Sequence, residues 1–127
     1  LDCDSFKKIN DSLGHLTGDL VLQHISKSLK LTFRQIDIIG RLGGDEFCVY
    51  MPAIPFKEFV QTKYEQLMGN IQKLNESFPV KLSVGIAVYD KPADYETLFK
   101  QADDALYSAK NSGGGKAVFY NENLLNI

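Results

Sequence analysis

At 127 residues, 44% hydrophobic and 11% aromatic, the chain has the length and apolar content for one globular core and little more. Its formal net charge of −2, with 24% charged residues of both signs, excludes the basic surface that drives generic nucleic-acid binding. No stretch approaches the roughly 20 apolar residues that span a bilayer, so the segment is expected to be soluble, with neither nucleic acid nor membrane among its partners, though its parent protein could carry an anchor elsewhere; its two cysteines point to a reducing, cytoplasmic setting.

The first residues, "LDCDSFKKIND", have the look of a cut: residues 1–4 read as the tail of a strand whose start, with any helix before it, lies outside this sequence. Residues 20–33 place Val21, Leu22, Ile25, Leu29 and Phe33 at helical spacing, with Asp19 at the start of the helix. Two short β-rich runs, 36–42 and 47–51, flank Gly43 and Gly44, which suits a hairpin turn needing positive φ. Residues 56–76 form a second amphipathic helix on Val60, Tyr64, Leu67, Met68, Ile71 and Leu74, with Gly69 as a weak point. Residues 80–89 alternate as a central strand, 95–112 form a helix that stops at Gly113, and 116–120 make a last short strand. A hairpin rules out a purely parallel sheet, so the expected fold is α/β of the α+β kind: one domain over residues 1–127 with a mixed or antiparallel sheet flanked by helices. Cys3 and Cys48 lack metal-type spacing and sit in apolar runs, which points to buried, reduced thiols.

The acids carry the chemistry. On a strand, Asp2 and Asp4 face one side and Cys3 the other, although Asp4 taken alone reads first as the N-cap of a following short helix. Asp45 and Glu46 follow a turn, where acids are commonly solvated tips. Together, a strand end and a hairpin tip supply the one or two carboxylates that Mg²⁺ takes, the rest of its octahedron being left to water and phosphate. Gly43 and Gly44 would let phosphate oxygens approach the backbone.

"GGDEF" at residues 43–47, "DCDSFKKIND" at 2–11, "GHLTGD" at 14–19, "RLGGDEF" at 41–47, "LSVGIA" at 82–87 and "ADDALYSAK" at 102–110 resemble, in order and spacing, the blocks of the GGDEF domains, the diguanylate cyclases. The resemblance implies a palm-like, nucleotidyl cyclase-like sheet and a homodimer that joins two GTP into cyclic di-GMP with two Mg²⁺, Mn²⁺ being an alternative ion. Carried over, it implies Asp2 and the Cys3 backbone carbonyl as metal ligands, Asp45 as metal ligand and base for the 3′-hydroxyl, and Glu46 as ligand of the second metal. Lys7 and Lys110 would then contact phosphates, and Gly43 and Gly44 line the substrate. Asn10 and Asp19 resemble the guanine readers, a carboxylate being able to accept from both N1–H and the exocyclic amine where adenine leaves it unpaired. Gly14 and Gly18 would turn the loop beneath the base.

Arg34 and Asp37, in "RQID" ahead of the motif, stand where the family has its inhibitory product site; without the resemblance they would read as a surface ion pair. One departure weakens phosphate binding. Where the family's phosphate-binding arginine is expected near Gly114, this sequence has glycine, and Lys116 could stand in for it only from a shifted position and without the arginine's fork. A catalytically silent module that binds GTP or cyclic di-GMP and regulates an attached domain is therefore the alternative to an active cyclase. A palm-type cyclase for another nucleotide is disfavoured by Asn10 and Asp19.

Overall fold

Gly14 decides where the first helical stretch breaks. With φ at +90° it ends one helix and opens the next, a conformation that costs a side-chain-bearing residue far more. The computed structural model describes residues 1–74, 79–89, 91 and 93–121, and its elements run β1 (Asp2–Cys3), α1 (Phe6–Leu13), α2 (His15–Thr32), β2 (Ile38–Gly43), β3 (Glu46–Tyr50), α3 (Glu58–Leu74), β4 (Leu82–Ile86), α4 (Tyr95–Asn111) and β5 (Ala117–Phe119). They fall into two compact units, one contiguous from Ser5 to Lys81, the other formed by Leu1–Asp4 with Leu82–Ile127.

In the contiguous unit, α2 packs on α3, and Val21, Ile25 and Leu29 of α2 and Leu67 and Ile71 of α3 are all wholly buried. The end of α2 is tied to α3 by polar contacts: Lys63 Nζ donates to the Thr32 carbonyl (3.1 Å) and Asn70 Nδ2 to Thr32 Oγ1 (2.8 Å), satisfying groups that the helix end leaves open. Strands β2 and β3 form the expected hairpin, with Ile38 opposite Tyr50 and Gly43 opposite Glu46. The turn itself is Gly44–Asp45, one residue later than the sequence suggests, because the register shifts between Arg41 and Gly43 and Gly44 takes the left-handed φ of +50°.

In the discontinuous unit, β4 runs antiparallel to β1 and parallel to β5, so the pairing is mixed, as expected. Helix α4 lies on β4 at Gly85, where a Cβ would come within 2.0 Å of the Ala102 carbonyl oxygen and 2.3 Å of the Leu106 nitrogen. Asp94 caps α4 by accepting from the Thr97 amide (2.7 Å), which holds its carboxyl below the ordinary range. The cap is therefore fully made at neutral pH and fades as the pH falls through the depressed value.

Several expectations are corrected. The helix placed at 20–33 begins at His15, so Asp19 lies inside α2 and caps nothing, and Gly14 stands at the N-cap. Gly18 is not in a loop but buried within α2. Asp4 does not cap α1; the N-cap is Ser5, in a left-handed conformation (φ 56°) and without a side-chain cap bond. The strand placed at 80–89 contracts to Leu82–Ile86, and the end of the helix placed at 56–76 lies outside the described residues. Cys3 is buried as expected, Cys48 only partly, and neither is in a disulfide. Among the described residues no helix is long and apolar enough to cross a membrane.

Candidate active site

Asp2 is a strand residue only 6% exposed, opposite Ser83 across the β1–β4 pair. A buried carboxylate requires a compensating charge, and the Lys110 ammonium, from the last turn of α4, supplies it. The two groups assigned to metal and to phosphate are thus adjacent, although 108 positions apart in sequence. Beyond Cys3, the Asp4 carboxylate accepts from Ser83 Oγ and from the Gly115 amide, both at 2.6 Å. This engagement is the physical reason Asp4 does not cap α1.

Gly113, Gly114 and Gly115 all have left-handed φ, and a Cβ at Gly114 would meet Asp4 Oδ2 at 2.9 Å. The arginine expected there has no room unless Asp4 moves. Lys116 does not replace it, because its ammonium donates to the Ser112 carbonyl (2.7 Å) at the end of α4.

On the contiguous unit, Gly43, Gly44, Asp45 and Glu46 form the hairpin tip, with Asp45 half-buried in the turn and Glu46 exposed at the start of β3. Added Cβ atoms at Gly43 and Gly44 would meet nothing within 4 Å, so these glycines answer to backbone conformation and leave open space beside the acids. Arg41 braces the tip, its Nε and Nη2 donating to the Gly44 carbonyl at 3.0 and 2.6 Å. Sequence reading missed this role; an arginine three residues before the turn glycine was the available signal.

Lys7 is exposed in the first turn of α1, whose amides receive no side-chain cap and remain available to anions. Asn10 packs against Gly18 so closely that a Cβ there would lie 1.7 Å from Asn10 Oδ1. The sequence neighbour of Gly18 is Asp19, exposed on α2, so the two residues assigned to guanine sit at adjoining positions. Gly18→Ala is expected to displace the Asn10 amide and, if Asn10 reads guanine as the resemblance implies, to cut any preference for GTP over ATP about tenfold or more, as misplaced contacts do. Asp19→Ala, with no cap to lose, should cut the same preference at unchanged stability. Competition titrations in parallel with thermal melts check both, and an unaltered preference in either variant refutes its part in base reading.

Arg34 and Asp37 are brought together, and they face each other. Arg34 Nε donates to both Asp37 oxygens (3.1 and 3.2 Å), Nη2 donates to Asp37 Oδ1 (2.8 Å) and the Pro52 carbonyl (2.7 Å), and Nη1 donates to the Ala53 carbonyl (3.4 Å). The Asp37 side chain is fully buried, so this pair is no surface bridge. Phe59 lies under the Arg34 guanidinium and also meets Lys63, each 5.3 Å from its ring centroid.

The assigned metal ligands are all oxygens, the donor set that Mg²⁺ prefers, and buried Asp2 already carries a cationic partner in Lys110. Among the described residues no three His, Cys, Asp or Glu side chains gather into a metal-sized cluster. That is compatible with an ion held by few carboxylates and completed by phosphate and water.

The family model for the GGDEF domain of diguanylate cyclases matches residues 1–116. The chain is 34% identical over 130 residues to the diguanylate cyclase DosC of Escherichia coli K12, covering 98% of this chain and 28% of the relative. It is 40% identical over 118 residues to the diguanylate cyclase DgcP of Pseudomonas aeruginosa, covering 89% and 17% respectively. The chain thus spans less than a third of these relatives. The solved GGDEF domain of PA1120 (TpbB or YfiN) from Pseudomonas aeruginosa superposes with a TM-score of 0.87 at 33% identity, covering 98% of this chain and 76% of that one.

Proposed function

We propose, since the chain belongs to the GGDEF domain family of diguanylate cyclases, that residues 1–127 form one domain which condenses two GTP into cyclic di-GMP and releases pyrophosphate, working as a homodimer in the cytoplasm. The observation that supports the reading is the buried Asp2 carboxylate paired with the Lys110 ammonium, the acid assigned to metal beside the cation assigned to phosphate. Asp2, the Cys3 carbonyl, Asp45 and Glu46 would hold Mg²⁺, which when bound would supply charge neutralisation at the triphosphate.

The chain's own groups do the rest. Lys7, Lys110 and the uncapped amides of α1 hold phosphate oxygens, while Asn10 and Asp19 orient the guanine. The Asp45 carboxylate takes the proton of one GTP's 3′-hydroxyl, whose oxygen attacks the other's α-phosphorus as the bond to pyrophosphate breaks. A second such step, with the roles of the nucleotides exchanged, closes the ring. One set of guanine readers per chain is the reason for two protomers facing each other.

Incubating the chain with GTP and Mg²⁺ should yield cyclic di-GMP and pyrophosphate, with loss of both on chelation. GTP binding without turnover under these conditions would instead establish the silent module, the reading that the glycine in place of arginine at position 114 favours.

Arg34 and Asp37 are retained as the proposed inhibitory product site, now with a defined entry cost. Cyclic di-GMP has to exchange its guanine edge for the Asp37, Pro52 and Ala53 oxygens that Arg34 already holds. Arg34→Ala is expected to remove cyclic di-GMP binding in calorimetry and, because it strands a buried carboxylate, to lower stability by about 3 kcal/mol. Product binding that survives the substitution places the product elsewhere.

A further inference from the structure

Asp4 has no part in the chemistry just described, yet both of its carboxylate oxygens are engaged. Its Oδ1 accepts from the hydroxyl of Ser83, a residue with no exposed surface, and its Oδ2 from the Gly115 amide. The same amide also reaches Ser83 Oγ at 3.2 Å, which closes a three-membered polar network. Ser83 is the strand partner of Asp2, and Gly115 follows the turn that ends α4, five residues after Lys110. Two ties therefore run from the β1 segment to the end of α4: the ion pair of Asp2 with Lys110, and the clamp of Asp4 on the glycine turn. A lysine stem has many rotamers and by itself fixes the ammonium poorly.

We propose that Asp4 is a positioning residue for nucleotide binding: by clamping the turn at Gly114 and Gly115 against Ser83, its carboxylate fixes the end of α4 and so holds the Lys110 ammonium in register with Asp2. The clamp explains the glycine at 114, whose φ of +71° and crowding against Asp4 Oδ2 leave no place for a side chain. The position that loses a phosphate-binding arginine thus gains a rigid mount for the remaining lysine. The assignment of Lys110 to phosphate rests on the function proposed above; the clamp does not.

The test combines two readouts. Without nucleotide, hydrogen exchange of the Gly115 amide should accelerate in Asp4→Ala and stay slow in Asp4→Asn, whose amide oxygen accepts from Gly115 while its NH₂ donates to a reversed Ser83 hydroxyl. Unchanged exchange in Asp4→Ala refutes the clamp. With Mg²⁺ and a slowly hydrolysed GTP analogue, Asp4→Ala should weaken binding about tenfold with Lys110 present and less than about twofold in a Lys110→Ala background, the non-additivity expected of a residue acting through another. Asp4→Asn should bind nearly as the unmodified chain does.

Equal losses in both backgrounds, or an Asp4→Asn variant as weak as Asp4→Ala, would overturn the proposal, the second by showing that the charge itself meets the ligand. Should Asp4→Ala fail to fold, Ser83→Ala, which removes one bond of the network, must show the same dependence on Lys110 at smaller size. Absence of analogue binding to the unmodified chain would overturn the nucleotide part and the function beneath it, while the exchange result still decides the clamp.

Discussion

Asp45→Asn is expected to abolish cyclic di-GMP formation, with a fall in kcat of about 10³-fold or more, while the chain stays folded. The change is isosteric and sits in a two-residue turn whose shape is set by its neighbours: Gly44 provides the left-handed backbone and Arg41 grips the Gly44 carbonyl. For an isosteric change at a half-buried turn residue, stability should fall by no more than about 1 kcal/mol. What Asn lacks is the negative charge that favours a divalent cation and a basic oxygen able to take the hydroxyl proton. Pyrophosphate release from GTP, followed beside a thermal melt, separates the two effects. Turnover within about tenfold of the unmodified chain would remove Asp45 from the chemistry.

Gly85→Ala carries the largest expected effect on stability, a loss of at least about 3 kcal/mol. Here the obstacle is backbone on both sides. The added Cβ would meet the Ala102 oxygen at 2.0 Å, the Leu106 nitrogen at 2.3 Å and the Leu106 Cα at 2.9 Å, and none of these can swing aside as a side-chain tip can. Helix α4 would have to lift from β4, uncovering Val84, Ile86, Ala105 and Ala109. Because α4 also delivers Lys110, activity should fall with the fold. Urea titration reads the loss from the midpoint, and a change under about 0.5 kcal/mol would mean that the helix seats elsewhere on the strand.

The elements were legible where periodicity or turn chemistry was local. Val60, Tyr64, Leu67, Met68, Ile71 and Leu74 announced α3, and the paired glycines announced the hairpin, because both signals lie within one element. The helix break was not legible. "GHLTGD" carries two glycines with different tasks: Gly14 turns the chain, while Gly18 makes room for Asn10, a residue of another helix. Composition does not tell a conformational glycine from a contact glycine, and Gly85 was hidden for the same reason.

The candidate site was readable as a set of residue types but not as a set of partners. Asp4 looked like a helix cap because a cap is the nearest use of an acid at that spacing, yet its acceptors were claimed by Ser83 and Gly115, 79 and 111 positions away. Arg34 and Asp37 were legible as a pair three residues apart, whereas the Pro52 and Ala53 carbonyls that turn the guanidinium inward belong to a later loop.

The division of the chain into a contiguous unit and a split one bears on the order in which it is made. Ser5–Lys81 forms its contacts within a single stretch and is complete in sequence before Leu82 leaves the ribosome. Leu1–Asp4 meets its antiparallel partner β4 and its ion-pair partner Lys110 only once those later segments have been made, so the split unit is completed after the contiguous one. A ribosome-bound chain halted just after Lys81 has emerged should therefore show amide protection within Ser5–Lys81 before the ion pair of Asp2 with Lys110 can form, which pulse hydrogen exchange would read.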